Sequence, residues 1–173
     1  RDLNGDGFQD LVLSFFPTFT KDTRLLYIYD IVQGSLYKQQ GSPSNNILIP
    51  VLTDLDGDGT PEITGNTFAP DNFGQTSVEL SDSLSWLIIY NSKLEFFTPP
   101  MGFPASPSYV RVLPLRKNGT SYLVVLFNNR SNNLMESSLC SYRIEKDSLV
   151  LVSARNFQDQ RQLKILGPVN ENN

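Results

Sequence analysis

Asp2-Leu3-Asn4-Gly5-Asp6-Gly7-Phe8-Gln9-Asp10 and Asp54-Leu55-Asp56-Gly57-Asp58-Gly59-Thr60-Pro61-Glu62 share one pattern. Each stretch has an oxygen-bearing side chain at its first, third, fifth and ninth positions and Gly at its sixth. Oxygen donors at this spacing suit a hard cation. Calcium takes about six to eight oxygens from carboxylates, amides, carbonyls and water, and Gly permits the sharp turn that gathers them. Alternate side chains of a tightly curled loop converge on one centre, so Asp2, Asn4 and Asp6 are expected to share one ion. Phe8 offers its backbone carbonyl and Asp10 closes the shell. In the second loop the same roles fall to Asp54, Asp56, Asp58, the Thr60 carbonyl and Glu62. Two Ca2+ sites are therefore expected. Asn4 is neutral, so the second loop has more carboxylates and is expected to bind more tightly.

Asp, Asn and Gly also gather in plain turns, because they tolerate left-handed backbone. Two matching loops, each followed by an apolar strand, favour the metal reading. An EF-hand loop would run between helices to a bidentate Glu at its twelfth position. That position holds Leu13 in the first stretch and Gly65 in the second. Closure at the ninth position, leading into Asp10-Leu-Val-Leu-Ser-Phe-Phe16 and Glu62-Ile-Thr64, resembles the FG-GAP/VCBS repeat, the calcium-binding blade of integrin-α-type β-propellers. The resemblance implies an all-β fold of propeller blades with structural calcium. It says little about activity.

Composition agrees with a packed β protein. The chain has 173 residues, 39% of them hydrophobic, with 11 Phe and 7 Tyr, enough for one domain with a sizeable core. The net charge of −4 presents no basic surface to nucleic acid. Cys140 is the single cysteine, so no intrachain disulfide forms. Its apolar-alternating surroundings suggest a small core residue, and the chain has no histidine to act as its base. No apolar run is long enough to span a membrane. Loops of this kind need the free calcium found outside cells, so an extracytoplasmic location is expected, in a secreted, periplasmic or cell-surface protein. The chain starts at Arg1, one residue before an expected ligand and without an initiator Met, which suggests missing upstream sequence.

Period-two patterning predicts strands over 10–16, 25–31, 35–39, 47–52, 62–65, 84–90, 94–97, 109–114, 122–127, 139–144 and 148–152, with one more over 162–166. Pro99, Pro100, Pro104 and Pro107 read as a linker. The units form repeats over about 1–43, 44–104 and 105–153, followed by a strand and tail over 154–173. Tyr29, Tyr90 and Tyr142 mark equivalent places, and spacings of about 50–60 residues signal a repeat architecture. Aligning Gly119 with Gly59 puts Pro114, Arg116, Asn118 and Tyr122 at the four liganding positions. This reads as a blade turn that no longer binds calcium, with the charge of Arg116 filling its vacant site. A plain Asn-Gly hairpin is the alternative. Three units are too few for a ring of four to eight blades, so the domain is read as part of a larger propeller.

The calcium is expected to be structural. The insertion from Asn66 to Ser83 is the binding candidate, since long loops on rigid scaffolds often carry function. Phe68, Asn72 and Phe73 would supply stacking and hydrogen-bonding groups there. Asp71, Glu79 and Asp82 are the spare acids for any acid–base chemistry. The leading expectation is a non-enzymatic binding or interaction module for a protein or carbohydrate ligand. The alternatives are a sensory ectodomain of a membrane receptor, or an accessory or catalytic propeller of a polysaccharide lyase or hydrolase.

Overall fold

The computed structural model describes residues 1–15, 25–38, 50–67, 80, 83–104, 109–131, 134–146 and 148–159. These form three antiparallel sheets and, among the described residues, no helix. The first sheet is β1 (Leu11–Phe15), β2 (Leu25–Asp30) and β3 (Ser35–Lys38). The second is β4 (Val51–Thr53), β5 (Glu62–Asn66), β6 (Leu84–Tyr90) and β7 (Met101–Pro104). The third is β8 (Tyr109–Lys117), β9 (Thr120–Ser131), β10 (Leu134–Glu145) and β11 (Ser148–Asp159). Within each sheet, strands that follow one another in the chain are neighbours, so every connection is a simple antiparallel return.

Register is matched across the three sheets. Leu11 pairs with Tyr29, Ile63 with Tyr90, and Leu123 with Tyr142. Each first partner stands four residues beyond the aligned glycine, Gly7, Gly59 or Gly119. The three tyrosines are therefore equivalent in pairing as well as in sequence.

Alternation along β6 explains how the sheets stack. Successive strand side chains point to opposite faces. Ile88 and Tyr90 join Leu3, Leu26, Ile28 and Ile63 in one core against the first sheet. Leu87 and Ile89 join Leu55, Leu123, Val125 and Tyr142 in a second core against the third sheet. The middle sheet is thus covered on both faces, which is why Leu87-Ile-Ile-Tyr90 reads as an unbroken apolar run. Cys140 packs at the edge of the second core, as its alternating neighbours suggested.

Two readings need correction. Leu94–Phe97 is not a return strand, since only an isolated bridge joins Phe96 to Tyr90. Asn91 tightens this segment instead. Its Oδ1 accepts the N–H groups of Lys93 and Glu95, at 2.9 and 3.0 Å, and Leu94 is turned to φ +61°. The return strand is β7, inside the stretch read as a Pro-rich linker. β7 lies at the sheet edge, where proline's missing N–H costs no ladder bond. At the turn expected not to bind calcium, Asn118 and Gly119 both have positive φ, 51° and 76°, and Lys117 pairs with Thr120. This is a two-residue hairpin of the type Asn-Gly favours, with no loop for an ion to enter.

The strands of the third sheet are longer than periodicity suggested. β9, β10 and β11 have twelve residues each. The strand read over 162–166 lies outside the described residues.

Candidate metal centre

The two acidic loops fold alike. In the first, Asp2 accepts the N–H of Gly5 at Oδ1 (2.7 Å) and of Gly7 at Oδ2 (2.9 Å). In the second, Asp54 accepts Gly57 at Oδ1 (2.6 Å) and Gly59 at Oδ2 (3.3 Å). Asn4 Oδ1 accepts the Asp6 N–H and Asp56 Oδ1 accepts the Asp58 N–H, both at 3.0 Å. Asp6 Oδ1 then takes the Phe8 N–H at 2.9 Å, and Asp58 Oδ1 takes the Thr60 N–H at 2.6 Å. Gly7 and Gly59 hold φ at +88° and +95°, a region that side chains strongly disfavour. The backbone thus curls around its own acidic side chains, and the sequence pattern is a geometric one.

In the second loop this curl brings oxygens of Asp54, Asp56 and Asp58 within 4.8 Å of one another. Among the described residues it is the one such group of three acidic, histidine or cysteine side chains. Oxygens that ligate calcium at about 2.3–2.6 Å lie no more than about 5 Å apart across the ion, so the donor set fits a hard cation. Uncompensated, three carboxylates this close repel one another. In the first loop Asn4 replaces one of the three, leaving Asp2 and Asp6 flanking an amide.

The ninth-position acids tie each loop to its buried second residue. Asp10 Oδ2 accepts the buried N–H of Leu3 at 2.8 Å, and Glu62 Oε2 accepts that of Leu55 at 2.6 Å. Glu62 is outside the group of three, although the charges of Asp56 and Asp58 reach it. Burial, and then those charges, push its carboxyl up to about 7 against the bond from Leu55. The half-buried Asp2 is shifted the other way, held below the usual carboxylate range chiefly by the Gly7 N–H.

Leu3 and Leu55 were not singled out as functional by the sequence pattern. Each is buried in the core between two sheets, Leu3 in the first and Leu55 in the second. Each loop is therefore plugged into a sheet–sheet junction at its second residue and tied there by its ninth. An apolar residue between two acids, repeated in both loops, was the available signal.

No protein-family model, curated protein or solved structure matches this chain.

Two more side chains reach the loops from elsewhere. Asp30, at the end of β2, is almost fully buried and accepts the Asn4 amide at Oδ2 (2.9 Å). Its Oδ1 is held by the N–H groups of Val32 and Gln33. The Asn4 amide nitrogen donates to Asp30 and, at 3.5 Å, to Asp6 Oδ2, while its oxygen accepts within the loop. Arg116 extends from β8 of the third sheet, and its Nη1 lies 3.5 Å from Asp54 Oδ2. It does not fill a vacant site in its own hairpin, as the alignment suggested; it reaches the neighbouring loop. Both contacts span many residues of chain and leave no local sequence signal.

The loops share one end of the stack. A cleft of about 430 Å³ is lined by Asp2 and Asp54 together. A second of similar volume brings Asn4, Asp10 and Tyr37 together with Thr60 and Lys93. Phe68, Asn72 and Phe73, and the spare acids Asp71, Glu79 and Asp82, lie outside the described residues. At the insertion's start, Thr67 extends the β5–β6 ladder, its N–H donating to the Trp86 carbonyl and its Oγ1 accepting the Trp86 N–H, both at 2.9 Å.

Proposed function

We propose that this chain is a calcium-stapled, non-enzymatic binding module of the FG-GAP/VCBS β-propeller type that works outside the cytoplasm. The carrying observation is the matched hydrogen-bond pattern of the two loops, with the carboxylates of Asp54, Asp56 and Asp58 gathered at one point. Asp2, Asn4, Asp6 and Asp10 would hold one Ca2+, and Asp54, Asp56, Asp58 and Glu62 the other. The Phe8 and Thr60 carbonyls would complete the shells. Bound calcium supplies the charge that lets clustered carboxylates coexist. The protein's own residues supply the curl, through Gly, and the attachment, through Leu3 and Leu55. Three equivalent meander sheets stacked face to face support the blade reading, with further blades completing the ring.

A polar ligand, protein or carbohydrate, would sit on the face where both loops open. The cleft there offers a phenol, a hydroxyl and an ammonium, from Tyr37, Thr60 and Lys93. Such a mix orients a neutral polar ligand by hydrogen bonds. Calcium calorimetry combined with thermal melting tests the reading. Two ions per chain are expected. Each site at a hundredfold excess over its Kd should add about 2.7 kcal/mol by mass action. Absence of calcium binding, or identical melting in calcium and EDTA, would refute it.

A further inference from the structure

We propose that Arg116 is a built-in competitor for the cation at the Asp54–Glu62 loop and makes it the weaker of the two sites. This inference rests on the calcium reading above. It reverses the order of affinity expected from counting carboxylates within each loop.

The third sheet holds the guanidinium in place. Arg116 pairs with Ser121 one step before the hairpin end, so its backbone is fixed by strand pairing on a short turn. Its side chain is about half exposed, at 45%, and it leans on the loop over Gly57. A Cβ built on Gly57 would stand 2.6 Å from Arg116 Nη2. The glycine therefore serves two purposes: it adopts φ +88°, and it opens the space through which the cationic group approaches Asp54. Asp54 is the first ligand of the loop and already binds two backbone N–H groups. A guanidinium at its Oδ2 draws on the same negative charge that a metal ion would use, and it repels that ion.

The first loop has the opposite neighbour. Asp30 adds a buried carboxylate beside Asn4, so an acid supplied by β2 stands next to the position where the loop lacks one. With both neighbours included, the first site gains negative charge and the second loses it. A unit positive charge about 6 Å from a divalent ion costs it roughly tenfold in affinity at the dielectric of water, and less after screening by salt.

The test is a site-resolved calcium titration of the whole chain by 1H–15N NMR, with wild type, Arg116→Gln and Arg116→Lys compared. The amides of Gly5 and Gly7 report the first loop, and those of Gly57 and Gly59 the second. In wild type the first pair should saturate at lower calcium. Arg116→Gln should lower the midpoint for Gly57 and Gly59 by about three- to tenfold at low salt and leave Gly5 and Gly7 unchanged. Arg116→Lys should stay near wild type, which separates charge from packing. The Arg116 Nε–H signal should move with the second-loop occupancy. An unchanged or higher second-loop midpoint in Arg116→Gln would overturn the inference alone, leaving the calcium reading intact. Failure of Gly57 and Gly59 to respond in any of the three proteins would overturn both.

Discussion

Glu62→Gln isolates the charge at the heart of the second loop. Glu62 is 3% exposed and accepts the Leu55 N–H at 2.6 Å. Glutamine keeps the size and an acceptor oxygen and removes the ionisation. Burial and the acids beside it raise the carboxyl from its ordinary 4.5 to about 7. Without metal, the folded chain therefore holds this proton more tightly than the unfolded chain. The associated stability is fully present below pH 4.5, declines as pH rises toward 7 and is gone above it. Full ionisation would cost at most about 3 kcal/mol, and screening by the water around the neighbouring exposed acids lowers this to about 1–2 kcal/mol. In EDTA at pH 8 the variant should be the more stable protein by that amount, a rise in Tm of about 2–8 °C at this chain length. In excess calcium the order should reverse, because the ion stabilises the ionised carboxylate of wild type and gains less from an amide. Differential scanning calorimetry at pH 5 and pH 8, each with calcium and with EDTA, gives the four values required. A wild-type Tm in EDTA that does not fall between these pH values, or a variant less stable than wild type in EDTA at pH 8, would refute the reasoning.

Leu55→Ala should cost about 2–5 kcal/mol, because it opens a cavity in the core shared by the second and third sheets. Urea unfolding should show the loss in EDTA as well as in calcium, since the leucine plugs the junction without help from the ion. Asp56→Ala should lower the calcium stoichiometry from two ions to one by calorimetry. Asp56 is exposed, so stability in EDTA should stay within about 0.5 kcal/mol of wild type; loss of both ions would contradict independent loops.

The loops were legible because their information is local. Nine consecutive residues contain the acids, the glycines and the apolar second position, and a curled backbone needs nothing from farther away to bond Asp2 to Gly5 and Gly7, or Asp54 to Gly57 and Gly59. The strands were legible where one side chain in two is buried, as in Leu25–Asp30 and Tyr122–Phe127. Leu94–Phe97 misled because alternation looks the same in a strand and in a turn that buries only Leu94. Met101–Pro104 was hidden because proline is normally excluded from strands, and only its place at a sheet edge removes the objection. Which face of β6 meets which sheet, the placement of Asp30 beside Asn4 and the reach of Arg116 to Asp54 all depend on how sheets stack. Those contacts join residues that are 26 and 62 positions apart. The chain alone therefore set out two acidic turns and a series of strands. Stacking the sheets decided the charge around each turn, because electrostatic neighbours are determined by distance in space and not by distance along the backbone.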